Sequence, residues 1–314
     1  MSAHARRRFP AVAIATATVA LATACGSPSS PAPTTTGAQS SSGPASPVVN
    51  IVASTNVWGD IAKQIGGAHV AVVSIMSDPN ADPHEYQADA NTAAALSKAQ
   101  LVLENGLGYD DFMDKLLSAS PNPARKEIDA AEVMKIDGAD ANPHIWYDIA
   151  KIPDVANAIA TELGSLDPAD AATFTTNAKS FNESLAPINA EIANIKAKYS
   201  GAPVGYTERV PGYLVEAAGL TLATPASFAQ AIEDGNDPSA ADNAAMDAAL
   251  SGKKIKVLLY NSQVTSPATD AVKKLAATSG VPVVGVTETL PPTDKDFQAW
   301  QSRQISELTA ALGK

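Results

Sequence analysis

The stretch VVNIVASTNVWGDIAKQIGGAHVAVVSI, residues 48–75, decides the fold. Its first seven residues, Val48–Ser54, are mostly apolar and often β-branched, which predicts a buried strand. A helical pattern begins near Val57 and ends at Gly66. The apolar run Val70–Ile75 then predicts a second strand. Strand, helix and strand in that order are typical of a parallel βαβ unit.

The same alternation continues outward from this unit. A helix over Asn91–Ala99 and a strand over Gln100–Leu103 complete the first half. In the second half, strands and helices are predicted at Pro203–Tyr206, Gly212–Ala218, Ile255–Tyr260, Thr269–Ser279 and Val281–Val286. The chain has 314 residues, more than one domain usually holds. We therefore expect an α/β fold of two lobes, residues 48–150 and 200–314, each a parallel sheet flanked by helices.

The segment 151–199 is predicted to be helical and to link the two lobes. Seven apolar residues spaced alternately four and three apart form one stripe along it: Phe174, Ala178, Phe181, Leu185, Ile188, Ile192 and Ile195. Asp167 is a suitable N-cap and Pro168 a suitable first residue. A helix from there to Tyr199 would be about 48 Å long, and Pro187 should kink or break it. A rigid linker of this kind predicts a small hinge motion between the lobes.

The N-terminal residues are predicted to be an export signal. Three arginines, Arg6–Arg8, precede the uncharged apolar stretch Ala11–Ala24, which is too short to span a bilayer permanently. Cys25 follows small residues and resembles the lipidated cysteine of a bacterial lipobox, although Ala22 stands where an aliphatic residue is usual. We therefore predict a signal peptide at residues 1–24 and lipidation of Cys25. The alternative is a plain signal peptide beside an incidental cysteine.

Residues 25–47 are predicted to form a disordered linker. From Gly26 to Pro47 the sequence contains Ser, Pro, Thr, Gly and Ala with one Gln, and it has no charged or aromatic residue. Such a composition cannot form a core and suits a semi-extended tether. The folded body is thus expected outside the cell membrane and anchored to its outer face.

Composition and motifs exclude several functions. The formal net charge is −11, with 22 basic and 33 acidic residues, which argues against nucleic-acid binding. A single cysteine excludes an intrachain disulfide and a thiolate metal cluster. The sequence has neither a Gly-x-x-x-x-Gly-Lys phosphate loop nor a His-Glu-x-x-His motif, so ATP hydrolysis and zincin-type proteolysis are not expected.

Four side chains are candidate metal ligands. His84 and His144 each follow a proline, in Asp-Pro-His and Asn-Pro-His, and proline restricts the backbone beside the imidazole. The alternative is that both are ordinary turn histidines. Glu208 and Glu288 lie just beyond predicted strands, where α/β sheets bind ligands, although each alone could be a solvated loop acid. His69 is interpreted as a turn or surface residue.

Several segments together resemble the metal-binding substrate-binding lipoproteins of zinc and manganese ABC importers (cluster A-I). They are Asn56–Ile61, Asp82–Tyr86, Asn142–Asp148, Tyr206–Glu208, Gly212-Tyr213 and Gly285–Thr289. The resemblance covers about residues 48–310. It implies two α/β lobes joined by a single long helix, with a metal ion in the cleft between them.

The resemblance assigns the four candidates as ligands of one zinc or manganese ion. His84 and His144 match the family's N-lobe ligands, and Glu208 falls where zinc-binding members often have His and manganese-binding members Glu. Glu288 falls where many members have Asp. Asp148 is expected either to orient His144 or to cap the following helix. Asn261 and Gln263 are expected to line the cleft.

The implied function is capture of a metal ion and its delivery to a membrane permease driven by a cytoplasmic ATPase. The chain is then expected to be a monomer and not an enzyme. Two alternatives are a surface adhesin with a structural metal and a secreted metallohydrolase. The latter needs an open metal coordination position, which four protein ligands would close.

Overall fold

The structure is a computed structural model that describes residues 48–79, 86 and 90–314. The predicted signal peptide, Cys25, the linker 25–47 and His84 lie outside the described residues. Among the described residues, none of the helices combines the length and the apolar character needed to cross a membrane.

The N-terminal lobe is built on a four-stranded parallel sheet in the order β2-β1-β3-β4. Its elements are β1 Val49–Thr55, α1 Asn56–Gly66, β2 Val70–Met76, α2 Ala90–Lys98, β3 Leu101–Glu104, α3 Phe112–Ala119, β4 Lys126–Asp129 and α4 Ala130–Met134. The Thr55 hydroxyl accepts a hydrogen bond from Trp58 N and caps α1 at its start. Gly67, with φ of 58°, takes the turn that ends α1, a conformation that glycine adopts without strain.

The C-terminal lobe repeats this design with the strand order β6-β5-β7-β8, again fully parallel. Its elements are β5 Pro203–Tyr206, α8 Gly212–Ala217, β6 Thr221–Leu222, α9 Ala226–Glu233, α10 Ala240–Ser251, β7 Val257–Asn261, α11 Pro267–Thr278, β8 Val283–Val286 and α12 Phe297–Leu312. In both sheets the chain reverses its direction of winding beside the first strand, so a crevice opens at the carboxyl ends of the central strands. The predicted fold class is confirmed.

The linking segment consists of three helices, α5 Ile152–Leu166, α6 Ala171–Ser184 and α7 Ala186–Tyr199, and not of the single long helix that was expected. The predicted N-cap at Asp167 is wrong, because Asp167 is the C-cap of α5 and Asp170 occupies the N-cap position of α6. The predicted break at Pro187 is confirmed: α6 and α7 are separated at Leu185, and Pro187 lies in the first turn of α7. There the missing N–H of proline costs no helical hydrogen bond. The lobe boundaries drawn at residues 150 and 199 stay a prediction.

One hydrophobic cluster runs through the linking helices into both lobes. It includes Ile51 of β1, Phe174 of α6, Ile195 of α7 and Leu259 of β7. Trp58 and Trp146 are each almost completely buried in it. Close packing of this kind resists large relative movement of the parts that it joins.

Candidate metal centre

Two strand ends of the C-terminal lobe bring the predicted carboxylates together. Glu208 lies two residues beyond β5 and Glu288 two residues beyond β8, and both are at most 1% exposed. Asn261, the last residue of β7, donates from one amide nitrogen to both of them. Its Nδ2 lies 3.1 Å from Glu208 Oε2 and 2.7 Å from Glu288 Oε1. Because both acids follow strands of one sheet, they lie close together, as sheet topology predicts.

A glutamine fixes the backbone that carries Glu288. The side-chain oxygen of Gln263 accepts hydrogen bonds from the backbone N–H groups of Glu288, at 2.6 Å, and Thr289, at 2.9 Å. Gln263 in turn donates its own backbone N–H to Asn261 Oδ1 at 3.1 Å. Asn261 and Gln263, predicted to line the cleft, therefore form a network of hydrogen bonds that holds Glu288.

His144 meets this network from the N-terminal side of the chain. It is fully buried at the start of the 3₁₀ turn Ile145–Tyr147. Its Nε2 lies 3.4 Å from Glu288 Oε2. The rings of Tyr109 and Trp146 contact the imidazole edge to face, with centroid distances of 5.8 and 5.5 Å. The ring is thus held with one nitrogen directed at a carboxylate of the other lobe.

Asn142 sets the tautomer of His144. Its side-chain oxygen accepts from the backbone N–H of His144 at 3.1 Å and lies 2.7 Å from His144 Nδ1. Its amide nitrogen donates to the carbonyl oxygen of Arg209 at 2.8 Å. Because Asn142 Oδ1 can only accept, Nδ1 must carry the hydrogen, and the neutral imidazole has its lone pair on Nε2. In this tautomer Nε2 has the lone pair with which a histidine binds a metal ion.

The approach of Asn142 to the other lobe depends on a glycine. A Cβ atom on Gly212 would lie 2.6 Å from Asn142 Nδ2, too close for a real contact. Next to it, the Tyr213 hydroxyl donates to the Asn142 carbonyl oxygen at 2.9 Å. On the same loop, Arg209 donates to both carboxylate oxygens of Glu233, which raises the pKa of Arg209 above its ordinary value. The segment from Arg209 to Tyr213 is thus held by Asn142 from the N-terminal lobe and by Glu233 from its own lobe.

Two described residues of the site, Tyr109 and Asn142, were not predicted as such from the sequence. The Tyr109 hydroxyl donates to Glu288 Oε2 at 2.9 Å, so a residue after β3 contacts a carboxylate after β8. Nothing in the local sequence distinguishes Tyr109 from a core tyrosine. Asn142 could have been found, because an amide two residues before a histidine is well placed to accept from its Nδ1.

Asp148 was expected either to orient His144 or to cap a helix. Its carboxylate accepts from the backbone N–H groups of Ala150 and Lys151, in the turn that leads into α5. Burial raises the pKa of Asp148 above its ordinary range. Asn142 lies at His144 Nδ1, and Lys151, not Asp148, is the N-cap of α5, without a side-chain capping bond. The orienting role of Asp148 stays a prediction.

The described part of the centre therefore contains one imidazole nitrogen and two carboxylates, from Glu208 and Glu288. Buried carboxylates this close together repel each other unless a cation or a proton neutralises them. Oxygen and imidazole donors suit zinc and manganese. The arrangement can hold a divalent cation, and the chemistry of the donors fits one.

Two parallel-sheet lobes with a ligand crevice at their strand ends define the class of two-lobed solute-binding proteins. The chain belongs to the family described as zinc-uptake complex component A, periplasmic, which matches residues 51–311. The resemblance inferred from the two Pro-His motifs and the later Glu segments is confirmed.

Curated relatives match part of the chain. The manganese-binding lipoprotein MntA of Bacillus subtilis (strain 168) is 31% identical over 163 residues, which cover 48% of this chain and 51% of that protein. The manganese ABC transporter substrate-binding lipoprotein ScaA of Streptococcus gordonii is 28% identical over 159 residues, covering 47% and 51%. The alignments thus span about half the length of these relatives.

Solved structures match nearly the whole fold. The periplasmic zinc-binding protein TroA of Treponema pallidum superimposes with a TM-score of 0.73 at 20% identity, covering 85% of this chain and 99% of that one. The solute-binding protein FpvC of Pseudomonas aeruginosa, in complex with Mn²⁺, gives 0.71 at 22% identity, covering 85% and 98%. Likeness at these identities establishes the fold.

Proposed function

We propose that this chain is the extracytoplasmic solute-binding component of an ABC importer and that it captures one divalent metal ion, zinc or manganese. The observation that carries the proposal is the convergence of donors from both lobes. His144 Nε2 lies 3.4 Å from Glu288 Oε2, and Asn261 joins Glu288 to Glu208. The family, and the manganese for which its relatives are named, support the same function.

The proposed ligands are His84, His144, Glu208 and Glu288. The geometry supports the last three, while His84 rests on its Asp-Pro-His motif. Two imidazoles and two carboxylates form a harder donor set than three imidazoles and one carboxylate. Such a set suits manganese, although zinc binds most nitrogen and oxygen sites more tightly. Four protein ligands would also leave no open position for a catalytic water, so the chain is proposed to be a carrier and not an enzyme.

The proposed cycle needs little closure of the lobes. Hydrogen bonds already join them: Asn56 and Leu290 exchange two, at 2.8 and 2.9 Å, and the Tyr147 hydroxyl donates to the Thr287 carbonyl oxygen at 2.8 Å. Loaded protein would dock on a membrane permease coupled to a cytoplasmic ATPase. We propose that the chain docks as a monomer, held to the outer face of the membrane by a lipid on Cys25.

Metal analysis and a competition titration test this function. Protein purified without chelator should contain about one zinc or manganese ion in the cleft, and this ion should be lost when His144 is replaced by alanine. Titration of the metal-free protein with both ions then ranks their affinities. A protein that binds neither ion in the cleft would overturn the proposal. Separately, Cys25→Ser should release the protein from membranes, and continued membrane association would contradict the lipid anchor.

A further inference from the structure

A second group of imidazole and carboxylate side chains lies outside the cleft. It consists of His69, Asp167 and Asp170, here called the corner cluster. One ligand atom from each lies within 4.8 Å of the others. His69 Nδ1 and Asp170 Oδ2 are 3.0 Å apart, and these two side chains keep 25% and 22% of their surface exposed. The group is thus compact, and solvent ions can reach it.

Asp167 is the feature that an ordinary ion pair does not explain. It is only 5% exposed, and its Oδ2 is buried with no hydrogen-bond partner in the described part of the chain. It is also the C-cap of α5, where the helix dipole places partial negative charge. A buried carboxylate at that end of a helix is doubly unfavourable unless a cation lies beside it.

Asp170 also departs from its expected structural role. It occupies the N-cap position of α6, yet its side chain makes no capping hydrogen bond. Aspartate is common at this position because its carboxylate accepts from the first turn of the helix. Here the carboxylate is directed at His69 instead. The cluster therefore uses two acids from one helix–helix junction, and the Asp170 carboxylate does not cap α6.

The third member, His69, is held in place by its neighbours. Its ring meets Phe174 edge to face, with a centroid distance of 5.7 Å and an interplanar angle of 87°. His69 ends the 3₁₀ turn Gly67–His69 that leads into β2. Asn177 of α6 donates to the Ile65 carbonyl oxygen at 2.8 Å, which ties α6 to the end of α1 just before this turn. The donors of the cluster are thus positioned by packing that does not depend on them.

We propose that the corner cluster is a second divalent metal site, with a zinc ion bound by one imidazole nitrogen of His69 and one carboxylate oxygen each from Asp167 and Asp170. In a tetrahedral site, zinc bonds of about 2.0–2.2 Å place the ligand atoms roughly 3.3–3.6 Å apart. The cluster needs only small side-chain movements to reach such spacing. A water molecule takes the remaining position, because three protein ligands leave one open.

The location gives this ion a structural function. The bound ion would join the turn before β2 to the α5–α6 junction within the linking segment. It would also offset the charge of Asp167 at the end of α5. This site is built within the first lobe and the linking segment, so it does not depend on the proposed transport function.

The test counts zinc ions in variants that separate the two sites. The background is His144→Ala/Glu288→Ala, which disables the cleft. By equilibrium dialysis against zinc, this background should retain one ion per chain, and adding Asp167→Asn should remove it. Asp154→Asn, an exposed acid on the same helix, is the matched control and should leave the ion bound. A background that binds no zinc, or zinc that survives Asp167→Asn, would overturn the proposal.

Thermal stability provides a second readout in case the count is disturbed by misfolding. In chelator, Asp167→Asn should melt at the same temperature as the background or higher, because it removes a buried charge. With saturating zinc, the background should melt at a higher temperature, while Asp167→Asn and His69→Gln should show no shift. An equal zinc-dependent shift in all three proteins would contradict the assigned ligands.

Discussion

The two lobes supply the cleft in different ways. The C-terminal lobe presents Glu208 and Glu288 directly after two strands, and Asn261 at the end of a third strand joins them. The N-terminal lobe presents His144 from an irregular segment, where Asn142 orients it. The first arrangement follows from sheet topology. The second depends on side-chain contacts with the other lobe, since Asn142 also binds the Arg209 carbonyl oxygen.

The N-terminal lobe also has acids at its strand ends, but they behave differently. Glu104 ends β3 and Asp129 ends β4, with Asp110 nearby. Burial, followed by repulsion from Asp110 and other acids, raises the pKa of Glu104 to about 7. The difference teaches that a carboxylate at a strand end becomes a ligand candidate when amide donors hold it beside other donors. A buried strand-end carboxylate without such donors, as at Glu104, destabilises the folded protein when it is ionised.

The largest expected effect comes from removing one donor of the cleft from either lobe. His144→Ala and Glu288→Ala should each weaken zinc binding more than about 100-fold, since even the loss of a group that orients a ligand costs roughly 10–100-fold. Affinity would be measured by competition with a chelating indicator. Equal losses would indicate that both lobes contribute directly to one site.

The matched control for these variants is Glu216→Gln. Glu216 is an exposed carboxylate of α8, in the same lobe as Glu288. Its replacement changes the net charge near the cleft without altering any proposed ligand there, so zinc affinity should stay within a factor of about two. Unchanged affinity in His144→Ala or Glu288→Ala would remove that residue from the ligand set.

The next effect tests the dependence of His144 on Asn142. Asn142→Ala removes the acceptor at Nδ1 and the bond to the Arg209 carbonyl oxygen, so it should weaken zinc binding about 10–100-fold. Asn189→Ala, an exposed position of α7, is the control. If Asn142→Ala bound zinc as tightly as this control, packing against Tyr109 and Trp146 alone would be sufficient to orient His144.

Much of the fold could be predicted, because its signals are local. Buried strands such as Pro203–Tyr206 are short apolar runs, and their alternation with helices determines a parallel sheet. The strands β4 and β6 were missed for a physical reason: Lys126–Asp129 is largely charged, and Thr221–Leu222 is only two residues long. Both are edge strands, whose weaker burial leaves little hydrophobic pattern to detect.

The site was predictable where sequence position determines geometry. Glu208 and Glu288 follow strands, so topology brings them together. Tyr109 was not predictable, because its contact with Glu288 spans 179 residues and depends on how the lobes pack. The interpretation of Asp167 as an N-cap was wrong although Asp-Pro suits that position. Helix α5 continues to Leu166, so Asp167 is its C-cap. Local propensity could not decide between the end of one helix and the start of the next.

A smaller effect concerns stability and the strand-end acids of the N-terminal lobe. The pKa of Glu104 is about 7 in the folded protein, against an ordinary value of 4.5. Between these values the unfolded chain has lost the proton while the folded protein keeps it, so stability falls as pH rises through the window. Glu104→Gln removes this cost. Because Glu104 is partly exposed, we expect a gain of about 1–2 kcal/mol at pH 8 and none at pH 4.

Urea unfolding of the metal-free protein at both pH values would measure the effect of Glu104→Gln. Glu132→Gln, an exposed acid of α4, serves as the control and should show no pH-dependent gain. A Glu104→Gln protein that gained no stability at pH 8 would mean that the strand-end acids of this lobe are tolerated without cost. The contrast with the C-terminal lobe would then lose its electrostatic basis.

The smallest effect concerns Tyr109, whose hydroxyl donates from the N-terminal lobe to Glu288 in the C-terminal lobe. Tyr109→Phe keeps the ring that packs on His144 and removes only the hydroxyl that donates to Glu288 Oε2. A hydrogen bond to a charged oxygen orients that carboxylate, so zinc affinity should fall about 3- to 10-fold. Tyr199→Phe, on α7 and away from the cleft, is the control. An unchanged affinity for Tyr109→Phe would mean that Asn261 and Gln263 alone hold Glu288, and that the C-terminal lobe builds its half of the centre without help from the other lobe.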